Sequence, residues 1–475
     1  MSRNTSRPAD DDIDYIKRTR WKRELEGIRR TVERTIDDST EVQLPRSPVE
    51  FCRRILGFTP TSYQTQLITR ISEGRKRIVL RWARQSGKSW ILAALIIWFC
   101  ALHPNRLAII VAPGLRQSMI LSDKIHELLS RVPQDKRRKM IRHQLRTVVR
   151  FKNGSQIVAL PNSEHLLRGY TAHLIVVDEA AFFANDETIF MNVLTPMMAN
   201  TNGAMIVSST PWGKKTVFYQ LNQDEAWEKI WVTWRDAVRE GRYSPDFVQE
   251  LMKIQKQRPQ VFKREYEAEF IEDVDTWLPQ DLLAKVCAED LEYIPFEARA
   301  KGRFYAGVDL AERVDHTVIA VVHKEADRLD LVHMHRFPLE TSLAACIGYI
   351  KVLGERWNLF WAVYIDNTKH GDYIIQDMKE AGVPHPQGIT FTQNTKMEMA
   401  QLLKQRMSEG AFRMPFDRET LDELNVEKYE LTKTGKISFS HPDGTHDDRF
   451  WAVALAVLAA EQAPSPPSRP IARVI

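Results

Sequence analysis

The stretch of residues 82–89, WARQSGKS, constrains the fold of this chain more than any other. It resembles a phosphate-binding loop, whose pattern is glycine, any four residues and then Gly-Lys-Ser or Gly-Lys-Thr. Gly87, Lys88 and Ser89 supply the end of this pattern, whereas Trp82 stands where the first glycine is expected. Because such a loop joins a strand to a helix, the sequence predicts an α/β sheet around it.

Short apolar runs of strand type alternate with helical segments through residues 49–212. The runs are 77–80, 107–111, 173–177 and 204–207, and an amphipathic helix is predicted near 115–132. Apolar strands that alternate with helices are typical of a parallel sheet buried on both faces. We therefore expect the ligand to lie at the carboxyl ends of the strands.

The loop and the strand ends define a predicted ATP site. Backbone N–H groups at Gly87 and the start of the following helix attract phosphate, while Lys88 reaches the β- and γ-phosphates. Ser89 and Asp178 are expected to hold Mg²⁺, and Glu179 is the base that orients water. The predicted ATP-binding residues are Tyr63, Gln64, Arg84, Gln85, Ser86, Gly87, Lys88, Ser89 and Asp178.

Two further elements accompany this site. The run 204–207 ends on Ser208, Ser209 and Thr210, whose hydroxyls are placed to sense the γ-phosphate. Upstream, Tyr63 and Gln64 either stack on and hydrogen bond to adenine or are ordinary surface residues, and the sequence leaves both interpretations open.

A second set of acids lies in the C-terminal half. Asp309 ends an apolar run, Asp315 follows it, Asp366 ends another run, and Asp447 and Asp448 open the last helix. Taken singly, each acid fits a turn or a helix cap. Taken together, three acids at the ends of separate elements are what a two-metal site for Mg²⁺ or Mn²⁺ needs. His446 fits either a turn or a role in orienting phosphate or water.

These motifs resemble the large terminase subunit of tailed bacteriophages. The resemblance rests on residues 83–89, 174–179, 208–211 and 63–64, and on the acid pattern of an RNase H-like (RuvC-type) nuclease domain. It implies an α/β fold with an N-terminal P-loop (ASCE/RecA-like) ATPase sheet and a helical lid or linker. An RNase H-like nuclease domain follows.

The resemblance also implies residue roles. Arg84 acts in cis on the phosphates, and Arg168 is either an arginine finger for a neighbouring subunit or a salt-bridge partner. The implied catalytic residues are Lys88, Arg84, Glu179, Arg168, Asp309, Asp366 and Asp448. The coupling residues are Ser208, Ser209 and Thr210. The implied nuclease metal ligands are Asp309, Asp315, Asp366, Asp447 and Asp448, and the sequence does not decide between the last two.

The implied activity is ATP-driven translocation of double-stranded viral DNA into a procapsid, with endonucleolytic cuts at the start and end of packaging. Its cofactors are ATP and Mg²⁺, with Mg²⁺ or Mn²⁺ at the nuclease site. The implied partners are DNA, portal protein, small terminase subunit and copies of this chain. These copies are expected to be monomers in solution and to form a ring of about five on the procapsid. The implied location is the host cytoplasm and not the mature virion.

We predict five regions along the chain. They are a charged extension (1–47), an ATPase core (48–212), a helical lid or linker (213–300), a nuclease domain (301–462) and a flexible tail (463–475). The apolar run 91–102 is shorter than the ~20 residues of a membrane span, so we expect no membrane partner.

Composition leaves two questions open. The net charge of +5 permits a polyanionic partner without requiring one. The basic cluster of residues 131–150 is either a solvated surface or a face for DNA. Two rival functions are a helicase-nuclease, which requires a second RecA-like sheet, and a DNA-binding scaffold with both sites inactive.

Overall fold

A computed structural model describes residues 43–271, 276–310, 316–357, 360–368, 371–431, 437–441 and 445–463. These residues form two compact units. The N-terminal unit holds residues 43–271 together with Cys287–Asp290, and the C-terminal unit holds residues 276–286 and 291–463. Within the described ranges, no helix combines the length and the apolar character needed to cross a membrane.

The N-terminal unit is built on one sheet of eight strands in the order β3-β4-β5-β2-β6-β7-β1-β8. The strands are β1 (Arg77–Trp82), β2 (Leu107–Ala112), β3 (Ile141–Gln144), β4 (Val148–Phe151), β5 (Gln156–Pro161), β6 (Leu174–Asp178), β7 (Ala204–Ser209) and β8 (Glu228–Val232). The β3–β4 and β4–β5 pairs are antiparallel, and the other pairs are parallel.

Helices cover this sheet. They are α1 (Pro48–Arg54), α2 (Ser62–Ser72), α3 (Lys88–Leu102), α4 (Leu115–Arg131), α5 (Gln134–Met140), α6 (Glu164–Leu167), α7 (Asp186–Thr188), α8 (Val217–Gln223), α9 (Trp234–Arg239), α10 (Pro245–Gln257) and α11 (Pro259–Glu265). All side chains of α3 after Ser89 are apolar, and nine of its 15 residues are buried, which places this helix in the core. The order of the sheet brings the ends of β1, β7 and β6 next to one another.

The four apolar runs of the sequence form β1, β2, β6 and β7, as predicted. The prediction that residues 213–300 are helical is wrong at β8, which pairs parallel with β1 and extends the sheet. The side chains of β8 alternate between exposed and buried, because it is an edge strand with one covered face. The boundaries predicted for the five regions stay predictions.

The C-terminal unit contains a sheet of six strands in the order β13-β12-β9-β10-β11-β14. The strands are β9 (Phe304–Asp309), β10 (Val318–Glu325), β11 (Arg328–Arg336), β12 (Ala362–Asp366), β13 (Pro386–Ile389) and β14 (Phe412–Arg413). β9, β10 and β11 form an antiparallel meander, and β12 lies parallel to β9 on its other side. A separate antiparallel hairpin is formed by β15 (Lys428–Leu431) and β16 (Ile437–Ser440). The turn between these two strands lies outside the described residues.

The helices of this unit are α12 (Gln280–Lys285), α13 (Leu343–Arg356), α14 (Tyr373–Glu380), α15 (Gln393–Ser408), α16 (Arg418–Val426) and α17 (Asp448–Gln462). The meander and the parallel strand beside its first member are the arrangement of an RNase H-like sheet. With the N-terminal sheet, this confirms the predicted α/β fold class.

Helix α17 lies directly against β9. A Cβ added to Gly307 would be 2.2 Å from the backbone O of Ala452 and 2.2 Å from the backbone N of Ala456, so only glycine allows this approach. Asp309 lies two residues after Gly307 on the strand, and Asp448 lies four residues before Ala452 at the start of the helix. Both steps cover about 6 Å, so the packing brings the two acids to one end of the contact.

Candidate nucleotide and metal sites

The loop of residues 82–89 begins inside the core. Trp82 is the last residue of β1, is fully buried, and meets the Tyr63 ring edge-on with 5.1 Å between centroids. The residue in the first glycine position therefore packs inward, away from a phosphate. The departure from the sequence pattern is explained by this packing.

Side chains of helix α2 donate hydrogen bonds to the loop backbone. The Tyr63 hydroxyl donates to the Ser86 carbonyl at 2.7 Å, and Gln64 Nε2 donates to the Gly87 carbonyl at 3.0 Å. Gln64 Oε1 accepts from the Thr61 N–H at 3.0 Å, so both ends of this buried amide are engaged. These bonds orient the loop backbone. The predicted adenine contact of Tyr63 and Gln64 stays a prediction beside this observed role.

Gly87 adopts a φ of +89°, and Gln85 also has a positive φ of 61°. A Cβ at Gly87 would lie 2.7 Å from Gln64 Nε2 and 2.8 Å from Arg242 Nη2. Gly87 is therefore favoured by its backbone conformation, and an added Cβ would also have to displace the ends of the Gln64 and Arg242 side chains.

We expect Gly87→Ala to lower the free energy of unfolding and to weaken nucleotide binding. Backbone strain alone costs about 1–3 kcal/mol, and the loss is expected to exceed this. The matched control is Gly74→Ala, because Gly74 has the same φ of +89° and nothing within 4 Å of an added Cβ. Chemical denaturation and binding of a fluorescent ATP analogue measure the two effects. Equal losses in both variants would show that crowding by Gln64 and Arg242 is unimportant.

Lys88 lies between two carboxylates. Its Nζ is 3.1 Å from Asp178 Oδ1 and 3.4 Å from Glu179 Oε1, and all three side chains are at most about one-fifth exposed. Asp178 ends β6, and Glu179 follows in the left-handed region with a φ of 53°. The structure thus brings together the cation and the two acids predicted for ATP chemistry.

The end of β7 contacts the same acids. Ser208 Oγ donates to Asp178 Oδ1 at 2.7 Å, and Ser209 Oγ donates to Glu179 Oε2 at 3.1 Å. Ser208, Ser209 and Thr210 are all buried. Each acid is therefore linked to the end of β7 by one hydrogen bond.

The two predicted arginines are exposed. The Arg84 carbonyl accepts a hydrogen bond from the Tyr243 hydroxyl, and its N–H donates to the Glu265 carbonyl at 2.8 Å. Arg168 follows α6 and pairs with Glu164 one helical turn earlier, with 63% of its side chain exposed. Exposed pairs of this kind contribute little to stability, so Arg168 can leave Glu164 at low cost. Ser89 is half-buried at the start of α3.

The acids of the C-terminal unit converge at the carboxyl end of β9. Asp309 and Asp366 end neighbouring parallel strands, in which Val308 pairs with Ile365. Asp448 is 4% exposed at the start of α17. Burial and then the negative charges of Asp448, Asp366 and Asp447 raise the pKa of Asp309 well above its ordinary value. This mutual repulsion is what a divalent cation relieves.

Other groups contact Asp448 and Asp366. The His316 N–H donates to Asp448 Oδ2 at 3.2 Å, and His446 Nδ1 is 3.8 Å from the same oxygen. The Thr368 N–H donates to Asp366 Oδ1 at 2.9 Å. Asp315, predicted as an accessory ligand, lies outside the described residues.

Asp447 belongs to a different group of side chains. Its Oδ2 accepts from the Trp451 indole at 2.6 Å and lies 3.2 Å from His441 Nδ1. Burial raises the pKa of Asp447, but hydrogen bonding and the charge of His441, with Trp451 and Lys396, lower it overall. Glu427 completes the group, and burial followed by the Asp447 charge raises its pKa to about 8. Sequence analysis missed Glu427 and His441.

The basic cluster is divided by the fold. Arg131, Arg138, Lys139, Arg142 and Arg146 are exposed, whereas Arg150 on β4 is buried. Lys136 and Arg137 are half-buried. Exposure of most of the cluster is compatible with both interpretations.

The two sheets and their acids define a protein that joins a P-loop ATPase-type α/β unit to an RNase H-like α/β unit. Residues 80–285 match the family model of the T4likevirus-type terminase large subunit, N-terminal, and residues 306–460 match the terminase RNaseH-like domain. The chain belongs to the family of large terminase subunits of tailed bacteriophages, the large subunits of phage DNA packaging.

Individual relatives are distant. The large terminase subunit of Thermus virus P23-45 is 22% identical over 443 residues, which cover 85% of this chain and 88% of that protein. The large terminase subunit of Thermus phage G20c gives the same identity and coverage. The crystal structure of the HK97 bacteriophage large terminase is 13% identical, with a TM-score of 0.41, over 87% of this chain and 99% of that one.

The family excludes one rival function. A helicase-nuclease requires a second RecA-like sheet, and the second large sheet of the described residues has the RNase H-like order instead. An inactive scaffold remains as the alternative that activity measurements address.

Proposed function

We propose that this chain is the motor subunit that drives double-stranded viral DNA into the procapsid by ATP hydrolysis and cuts concatemeric DNA at the start and end of packaging. The observation that supports this most is the coexistence of two different acid-bearing sites in separate units. One pairs Asp178 and Glu179 with a loop lysine, and the other gathers Asp309, Asp366 and Asp448. The first suits phosphoryl transfer, and the second suits phosphodiester hydrolysis.

At the ATP site, residues already present have complementary tasks. The Gly87 backbone and Lys88 bind phosphate, and Ser89 and Asp178 provide the oxygen ligands that Mg²⁺ prefers. When bound, Mg²⁺ neutralises phosphate charge. Glu179 is left to orient water and accept its proton. Because Lys88 pairs with both acids here, phosphate binding exchanges one partner of Lys88 for another.

Loss of the γ-phosphate would then alter the contacts of Asp178 and Glu179. Ser208 and Ser209 bond directly to these acids, and so the end of β7 follows their movement. Thr210 continues this path toward the segment after β7. We propose these three residues as the coupling element between hydrolysis and the movement of DNA.

At the nuclease site, Asp309, Asp366 and Asp448 would hold Mg²⁺ or Mn²⁺. Their crowding fits a cation site, because three carboxylates repel one another without a counter-charge. When bound, two such cations activate water and stabilise the leaving oxygen. The protein's own task is to fix the three carboxylates: the contact of α17 with Gly307 brings Asp448 to Asp309, and the pairing of β12 with β9 brings Asp366 there.

Arg168 supports a ring of subunits. It is exposed and, among the described residues, pairs with Glu164, as suits a side chain that acts on the ATP of a neighbouring copy. We expect Arg168→Ala to lower ATP turnover about 1000-fold or more in the assembled ring and to leave the monomer unchanged. Arg116→Ala, an exposed arginine of α4, is the control. Equal losses in monomer and ring would contradict a role in trans.

The proposed partners are DNA, the portal protein, the small terminase subunit and other copies of this chain, in the cytoplasm of the infected host. The experiment combines the protein with portal-bearing procapsids, ATP and DNA, and measures DNA protected from added nuclease. Protection that requires ATP and Glu179 is the expected result. DNA that remains fully digestible, under conditions where the protein hydrolyses ATP, would contradict the motor function.

A further inference from the structure

The base of the β15–β16 hairpin carries a cluster of ligand-type side chains. Lys428 pairs with Ser440, so Glu427 and His441 are the next residues of the two strands and lie opposite each other. Asp447 is the residue before α17. One ligand atom from each of Glu427, His441 and Asp447 lies within 4.8 Å of the other two.

A second observation concerns Glu427 itself. This side chain is 1% exposed, and its Oε2 atom has no hydrogen-bond partner in the described part of the chain. A buried carboxylate oxygen without a donor costs free energy unless a cation or a proton satisfies it. Binding of a cation or a proton therefore stabilises the cluster.

The surroundings fix the cluster in position. The Trp451 indole donates to Asp447 Oδ2, which restricts this carboxylate as outer hydrogen bonds do in metal sites. Lys396 Nζ lies over the Trp451 ring at 4.5 Å and offsets part of the negative charge. In the deprotonated form that binds a metal, with both carboxylates ionised and the imidazole neutral, the two carboxylates and one ammonium leave a net negative charge. His441 is 37% exposed, which leaves a route for entry from solvent.

We propose that Glu427, His441 and Asp447 form a third divalent-cation site, separate from the acids around Asp309. One imidazole nitrogen and two carboxylate oxygens suit Zn²⁺ or Mn²⁺, with the remaining positions taken by water. Bound there, the cation links both ends of the hairpin to the start of α17. Because Asp448 is the next residue, the cation sets the position of a nuclease carboxylate without contacting DNA.

The test measures cation binding to the full chain, so it does not depend on the proposed activity. In an Asp309→Asn/Asp366→Asn background, equilibrium dialysis with Zn²⁺ and the visible absorption of bound Co²⁺ count the remaining sites. We expect one equivalent in this background, with the Co²⁺ spectrum of a nitrogen-and-oxygen site. Adding His441→Ala is expected to remove that equivalent and the spectrum.

Two variants complete the design. Glu427→Gln keeps the shape of the side chain and is expected to weaken Zn²⁺ binding at least tenfold, which covers the case in which His441→Ala fails to fold. His143→Ala changes an exposed histidine of the other unit and is expected to bind as the background does. No retained equivalent in the background, or one that survives His441→Ala and Glu427→Gln, would overturn the proposal. In the first case, a proton shared between Glu427 and Asp447 satisfies the cluster.

Discussion

Replacing Lys88 with alanine is expected to lower ATP turnover at least about 100-fold while DNA cleavage by the C-terminal unit persists. Lys88 is the cation between Asp178 and Glu179, so its loss removes phosphate binding and leaves two carboxylates facing each other. Release of inorganic phosphate measures turnover, and Mn²⁺-dependent nicking of a plasmid measures cleavage. The separate location of the acids around Asp309 is the reason that cleavage survives.

A second variant tests the same site in case Lys88→Ala does not fold. Glu179→Gln retains the size of the side chain and is expected to lower turnover by about 10²–10⁴ through loss of the general base. Lys76→Ala is the matched control, since Lys76 is an exposed lysine just before the start of β1, at the opposite end from the loop. Normal turnover in folded Lys88→Ala or Glu179→Gln would contradict the assignment of this site.

Replacing Asp309 with asparagine is expected to abolish cleavage and to stabilise the metal-free protein at the same time. The substitution removes a carboxylate whose ionisation is opposed by burial and by the charges of Asp448, Asp366 and Asp447. Without cations, the melting temperature therefore rises. With Mn²⁺ the order reverses, because the wild type gains binding free energy that the variant lacks. Loss of several kcal/mol of transition-state stabilisation corresponds to at least about 100-fold slower cleavage.

The control is Asp377→Asn on α14, which changes an aspartate of the same unit away from the cluster. It is expected to leave cleavage, ATP turnover and the effect of Mn²⁺ unchanged. A purified Asp309→Asn protein that still cuts DNA would refute the metal assignment. An unchanged melting temperature without cations would instead refute the charge repulsion.

The sequence predicted those elements whose chemistry is local. β1, β2, β6 and β7 are apolar on both faces, so their runs stand out, and acids at strand ends meet because parallel strands end together. β8 was missed because its sequence, EKIWV, is an edge strand with charged and exposed positions. Its Trp231 is 50% exposed, and the Arg81 guanidinium lies over the ring, 4.2 Å from its centroid. The hydrophobic periodicity of the sequence does not reveal this contact.

Tertiary contacts add relations between residues that the sequence alone does not contain. Tyr63 and Gln64 were assigned from their position near the loop, but their hydrogen bonds to the loop carbonyls depend on how α2 packs. Asp447 and Asp448 are indistinguishable as neighbours in sequence, and the helix geometry separates them. Glu427 and His441 were missed because only the register of β15 with β16 places them together.

If one chain carries two independent catalytic sites, each activity can be removed alone, and a single plasmid assay measures both. Wild type, Lys88→Ala and Asp309→Asn are incubated with plasmid, ATP and Mn²⁺, and phosphate release and plasmid cutting are followed in the same samples. We expect Lys88→Ala to cut without hydrolysing ATP and Asp309→Asn to hydrolyse ATP without cutting. Loss of both activities in either folded variant, or of neither, would contradict the presence of two independent catalytic sites.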